Sequence, residues 1–142
     1  MSNIIPPSTA ITVDNIAYLL SVAGREEAGE LTVQICLPLT IISGKFVDVS
    51  WFCGFINKRH SPAGKFGVDP QRRINYTVVI SRTDTTHDTE LIENAVQTAT
   101  TLFTCYHSEI TTAATTRAPY ATIMEELAEK EEQSKKEDAS NP

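Results

Sequence analysis

Cys105 and His107 are the two residues whose types most readily suggest catalysis, a thiol as nucleophile and an imidazole as its base. Residues two apart on a helix point to different faces, so the pair reads as structural. No Ser/His/Asp order and no Gly-rich phosphate loop stands beside it. His60 and His87 lack a His, Cys or carboxylate at recognisable metal spacing, and Cys36, Cys53 and Cys105 are odd in number. The expectation is a protein with no catalytic residues, no metal, no cofactor, no small-molecule substrate and no disulfide framework. Whether Cys53 crosslinks subunits is left open by its position. Asn75-Tyr76-Thr77 fits the glycosylation pattern, but inside a strand of a chain read as non-exported the match is accidental. Polar residues alternating with apolar ones are a further candidate: Thr32, Gln34 and Cys36 in one segment, Arg73, Asn75 and Thr77 in another. Taken alone, such a row is a solvated sheet surface. The basic cluster Lys58-Arg59-His60, in a stretch with Gly and Pro, is marked for assembly or binding.

The elements that must position these residues follow from periodicity. Leu31, Val33, Ile35, Leu37 and Leu39 alternate with polar residues and predict a half-buried strand. Phe46–Cys53 alternates again, with Val47, Val49, Trp51 and Cys53 opposed to Phe46, Asp48, Ser50 and Phe52, and predicts the second arm of a β-hairpin. Residues 54–71 are expected as a long exposed loop, residues 73–81 as a strand, and Ala10–Asp14 and Ala17–Ala23 as two more, the second closed by the polar turn Gly24–Gly29. At Asp84–Asp88 the pattern becomes helical, with a Thr as cap and Asp88 and Glu90 complementing the helix N-terminus. Leu91, Ile92, Ala95, Val96, Ala99, Leu102, Phe103 and Tyr106 then form an apolar stripe, and a short helix covers 107–115.

The expected fold is therefore α+β: an antiparallel meander of five to six strands followed by two C-terminal helices on one face. The domain spans residues 1–120, with strands in 10–81 and helices in 86–117, and residues 121–142 form an acidic tail, a solvated helix or disordered. One helix about 10 Å wide cannot cover five strands spaced about 4.8 Å apart. A second chain would supply the missing cover, which predicts a homodimer with Leu91, Ile92, Val96, Leu102, Phe103 and Tyr106 in its core.

Composition is that of an ordinary globular protein, 41% apolar and 21% charged over 142 residues. Nothing approaches the ~18 consecutive apolar residues of a membrane span, and the start at Met1–Pro7 lacks signal-peptide features, so the chain is expected to be soluble and non-exported, with no membrane partner. The net charge is −6, of which the tail carries −4, from seven acids and three lysines. A nearly neutral body gives no broad basic field, so nucleic-acid binding would need a local surface.

Ile74-Asn75-Tyr76-Thr77-Val78-Val79-Ile80, followed by Thr86-His87-Asp88-Thr89-Glu90-Leu91-Ile92 and Ala95-Val96-Gln97, resembles the strand–helix junction of the coat proteins of single-stranded RNA bacteriophages. The likeness in order and length extends over about residues 10–120. It implies an intertwined homodimer with a joined ten-stranded sheet, assembled in the bacterial host cytoplasm into an icosahedral T=3 virion around the RNA genome. It also implies that the sheet's inner face binds an RNA hairpin, as packaging signal and translational repressor. Matched residue by residue, that face would be Thr32, Gln34, Cys36, Asp48, Ser50, Arg73, Asn75 and Thr77. Lys58, Arg59, His60 and Lys65 would serve as inter-dimer loop contacts. Thr, Gln, Ser and Asn offer donors and acceptors to bases splayed from an RNA loop, and Arg73 could take phosphate or stack. Phe46, Asp48 and Ser50 stand where such coat proteins carry lysines, the N-terminal hairpin is shortened, and the acidic tail would project outside the shell. The alternative is a small dimeric RNA- or protein-binding regulator of the cytoplasm that forms no shell.

Overall fold

The computed structural model describes residues 8–24 and 29–140. Five antiparallel strands form one sheet in the order β1-β2-β3-β5-β4. They are β1 (Ser8–Val13), β2 (Ile16–Ala23), β3 (Gly29–Thr40), β4 (Lys65–Val68) and β5 (Arg73–Arg82). Among the described residues four helices accompany them: α1 (Phe46–His60), α2 (Asp88–Cys105), α3 (His107–Thr115) and α4 (Tyr120–Ser140). Of the expected polar turn Gly24–Gly29, residues 25–28 lie outside the described residues, as does the leader reading at Met1–Pro7.

Strands β1 and β2 are joined by two residues in left-handed conformation, Asp14 at φ 50° and Asn15 at φ 67°, with Val13 paired to Ile16. Asp and Asn tolerate this backbone better than most residues, and the turn's twist suits a hairpin. The alternation read in β3 is real: Leu31, Val33 and Ile35 are fully buried and Leu37 nearly so. Registers carry the same face across the sheet, through Ile35 opposite Tyr76 and Val33 opposite Val78.

The expected second arm at Phe46–Cys53 is a correction, because those residues open helix α1. Eight residues of alternation also contain Val49, Phe52 and Cys53 at helical spacing, and the stripe continues to Ile56, past the window in which period two was read. The expected loop 54–71 is likewise replaced by the rest of α1 and by β4. The sheet is consequently not a meander. β3 and β4 run parallel with β5 between them, and a crossover of that kind needs a helix-sized connection, which α1 supplies.

Helix α2 begins without a side-chain cap; the Thr expected there is not one. Asp88 in its first turn instead receives Arg82, at 2.6 Å from Nε and 3.1 Å from Nη2, tying the end of β5 to the helix start. Helices α2 and α3 pack on β3, and α1 on β4. Between them they bury Leu31, Val33, Ile35, Tyr76 and Val78, whereas Ile11, Val13, Leu20, Val22 and Ile80 of the same face remain partly buried. Phe103, expected at a dimer interface, meets Tyr18 edge to face at 5.9 Å in the core, and Tyr106 packs in the same way on Phe52. Leu91, Ile92, Val96 and Leu102 are partly buried. The tail forms α4, whose Ile123 and Leu127 are buried.

Candidate nucleic-acid interface

The helices leave the other side of the sheet uncovered. On it, Cys36 lies opposite Asn75 and Gln34 opposite Thr77, with Ser21 of β2 beside Gln34 and Lys65 of β4 beside Thr77. Ser21, Gln34, Thr77 and Lys65 thus form one row across four strands. Leu19, Cys36, Asn75 and Gly67 form the next. Thr32 stands one step along, opposite the exposed Val79. Arg73 joins the group through a register irregularity between Cys36 and Thr40.

Six of the eight residues expected on this face are therefore brought together: Thr32, Gln34, Cys36, Arg73, Asn75 and Thr77. Asp48 and Ser50 are not. They lie on α1, where Asp48 pairs with the buried Lys45 at 3.0 Å. The error is the misread strand, since a face assigned by alternation is lost once the segment is helical. Lys65, expected as a loop contact, belongs to the sheet face instead. Lys58, Arg59 and His60 form the last turn of α1 rather than a loop. Arg59 grips Glu131 of α4 through two hydrogen bonds, one of 2.7 Å, and His60 Nε2 lies 2.6 Å from the Tyr106 hydroxyl.

Asp69, in the turn between β4 and β5, organises the face. Its Oδ1 accepts from the backbone N–H of Gln71 at 2.8 Å and of Arg73 at 3.0 Å, and its Oδ2 accepts from Asn75 Nδ2 at 2.8 Å. Burial alone would raise the Asp69 carboxyl, but these hydrogen bonds and the Arg73 guanidinium, 3.4 Å away, hold it below its ordinary value. Because a carboxylate only accepts, the Asn75 amide must turn its NH2 toward Asp69, which leaves its carbonyl oxygen directed elsewhere as an acceptor. Asp69 was missed in the sequence. The signal was Asp69-Pro70-Gln71, an Asp whose side chain bonds the backbone two residues on.

A depression of about 90 Å³ sinks between these groups, lined by Ser8, Leu19, Ser21, Gln34, Cys36, Asp69, Arg73 and Asn75. Asn75 among them is buried. Burial and the neighbouring Asp69 raise the Cys36 thiol, while Arg73 opposes them, so the thiol is no nucleophile here. Chemically the surface offers amide, hydroxyl and thiol groups, two cations at its margins and a turn carboxylate already engaged by the protein. It can hydrogen-bond an uncharged polar edge more readily than it can neutralise a run of phosphates.

Cys53, left open as a crosslinking residue, is buried on the inner face of α1, with its thiol pushed up to about 12 by desolvation. Among the described residues no group of three or more His, Cys, Asp or Glu is placed to hold a metal ion, and no helix is long and apolar enough to cross a membrane. No family model, curated protein or solved structure matches the chain.

Proposed function

We propose that the chain is a coat protein of the single-stranded RNA bacteriophage type, non-enzymatic, with its uncovered sheet face turned to the RNA. The observation that carries this reading is the two-sidedness of the fold: α2 and α3 lie on one side of β3, and Thr32, Gln34 and Thr77 form a polar, partly exposed surface on the other, with Asn75 buried beside them. A shell protein that holds RNA inside needs such a division. The junction on which the resemblance rests also supports it, since β5 runs through a Thr/Asp-rich turn directly into α2. RNA recognition would then use base edges of an unpaired loop, which Asn, Gln and Thr side chains can read.

A second reading is favoured by α1. It stands where the coat-protein pattern calls for a strand, and it buries Val49, Phe52, Cys53 and Ile56 within its own chain. This supports a small RNA-binding regulator that forms no shell. Electron microscopy of the protein purified from bacteria separates the two. Uniform, roughly spherical particles containing RNA are the expected outcome; a homogeneous small species that binds RNA without particles would replace the first reading by the second.

A further inference from the structure

Most of the polar groups that line the depression on the open sheet face are already engaged by the protein. The Ser8 and Ser21 hydroxyls bond each other at 2.9 Å, and the Cys36 thiol donates to the Leu37 carbonyl at 3.6 Å. Arg73 lies 3.4 Å from Asp69 and donates to the Gln71 side chain. Two amides are left, those of Gln34 and Asn75. Among the described residues none holds the Gln34 amide, so it can turn to present its donor or its acceptor.

Asn75 has no such freedom. It is only 7% exposed, and its Nδ2 donates to Asp69 Oδ2 at 2.8 Å. The Asp69 carboxylate is itself fixed, because its other oxygen accepts from the backbone N–H groups of Gln71 and Arg73. A carboxylate has no proton to give, so the Asn75 amide cannot reverse without setting oxygen against oxygen. Its Oδ1, which accepts from no described residue, is therefore an acceptor of fixed polarity among the groups that line the depression.

We propose that Asp69 sets the base preference of this face: by holding the Asn75 amide with its carbonyl free, it selects unpaired bases that present an exocyclic amino group, cytosine or adenine. The proposal rests on the reading that this face takes RNA, with or without a shell. The depression, about 90 Å³, has the room of about three water molecules, which admits the projecting edge of one base and not a whole nucleotide. The exocyclic group projects furthest from the ring and meets Asn75 first. A carbonyl there would face the Asn75 carbonyl and leave two acceptors without a donor, the costly outcome for a buried group. Uracil is the matched competitor of cytosine, with O4 in place of the N4 amino group. The substitution Asp69→Asn then has a determinate consequence. The backbone N–H groups of Gln71 and Arg73 still require an acceptor, so the new side chain keeps its oxygen toward them and turns its NH2 to Asn75. Asn75 must answer with its carbonyl, which leaves its own NH2 for the ligand, and the preference reverses although Asn75 itself is unchanged. Asp69 is thus a positioning residue that acts through Asn75.

Fluorescence anisotropy of the full chain with short oligo(rC) and oligo(rU) of equal length, at one salt concentration, tests this, because phosphate contacts cancel between the two. Wild type is expected to bind oligo(rC) about tenfold more tightly than oligo(rU). Asp69→Asn should prefer oligo(rU), and Asn75→Ala should bind both alike, each variant keeping the wild-type circular dichroism spectrum. A merely structural role for Asp69 would weaken both oligonucleotides together and leave their ratio unchanged. Equal affinities in the wild type, or a ratio that Asp69→Asn does not move, overturns the proposal and leaves RNA binding standing. No binding of either oligonucleotide, or of a randomised RNA hairpin pool, overturns the RNA reading itself and the proposal with it.

Discussion

Asp69 ties the turn between β4 and β5 to the floor of the open sheet face, because one carboxylate accepts from Gln71, Arg73 and Asn75 together. Removing it strands two backbone N–H groups and frees the Asn75 amide. Asp69→Ala should cost on the order of 2 kcal/mol, read by urea denaturation. The same carboxyl gives a pH dependence. Its folded value lies below the unfolded one, so the stability it contributes is present above the ordinary Asp range near pH 4 and is lost as pH falls through the folded value. Wild type should lose stability relative to Asp69→Asn on acidification below about pH 4; parallel pH profiles would remove Asp69 from this role. Asn75 and Thr77 were legible as face residues because strict alternation in β5 leaves one reading. Asp69 was not, since an acid in a turn is ordinary until its partners are known.

At the scale of elements, β3, β5, α2 and α3 were legible and α1 was not. Alternation in β3 runs over nine residues, Leu31–Leu39, and no helical stripe competes with it. In Phe46–Cys53 both periods fit, and only tertiary packing of Val49, Phe52 and Ile56 on the core decides between them. The turn glycine Gly64 was equally silent: a Cβ there would stand 2.5 Å from the Thr77 carbonyl oxygen, a close approach that lets the Gly64 N–H reach the Tyr76 hydroxyl at 2.8 Å. Packing of α2 on the sheet rests on Ala99 and Phe103, both essentially fully buried. Phe103→Ala should destabilise the chain by about 3–5 kcal/mol in chemical denaturation. A loss under about 1 kcal/mol would mean that Phe103 is not packed in the core.

For the whole molecule, the division into a helical side and an open polar sheet face is what the functional reading depends on. The surface carries Lys65 and Arg73 but no basic field, in a chain whose net charge is −6. RNA binding by such a face would draw more on base edges than on counterion release, and so would weaken only gently with salt. The most direct measurement is ultraviolet crosslinking of the protein to an RNA hairpin library, with the attachment sites mapped by peptide mass. Adducts concentrated in residues 32–36 and 65–77 are the predicted result. Adducts confined to the last turn of α1 and to α4, or no RNA retained at all, would contradict the assignment of the open sheet face as the RNA surface.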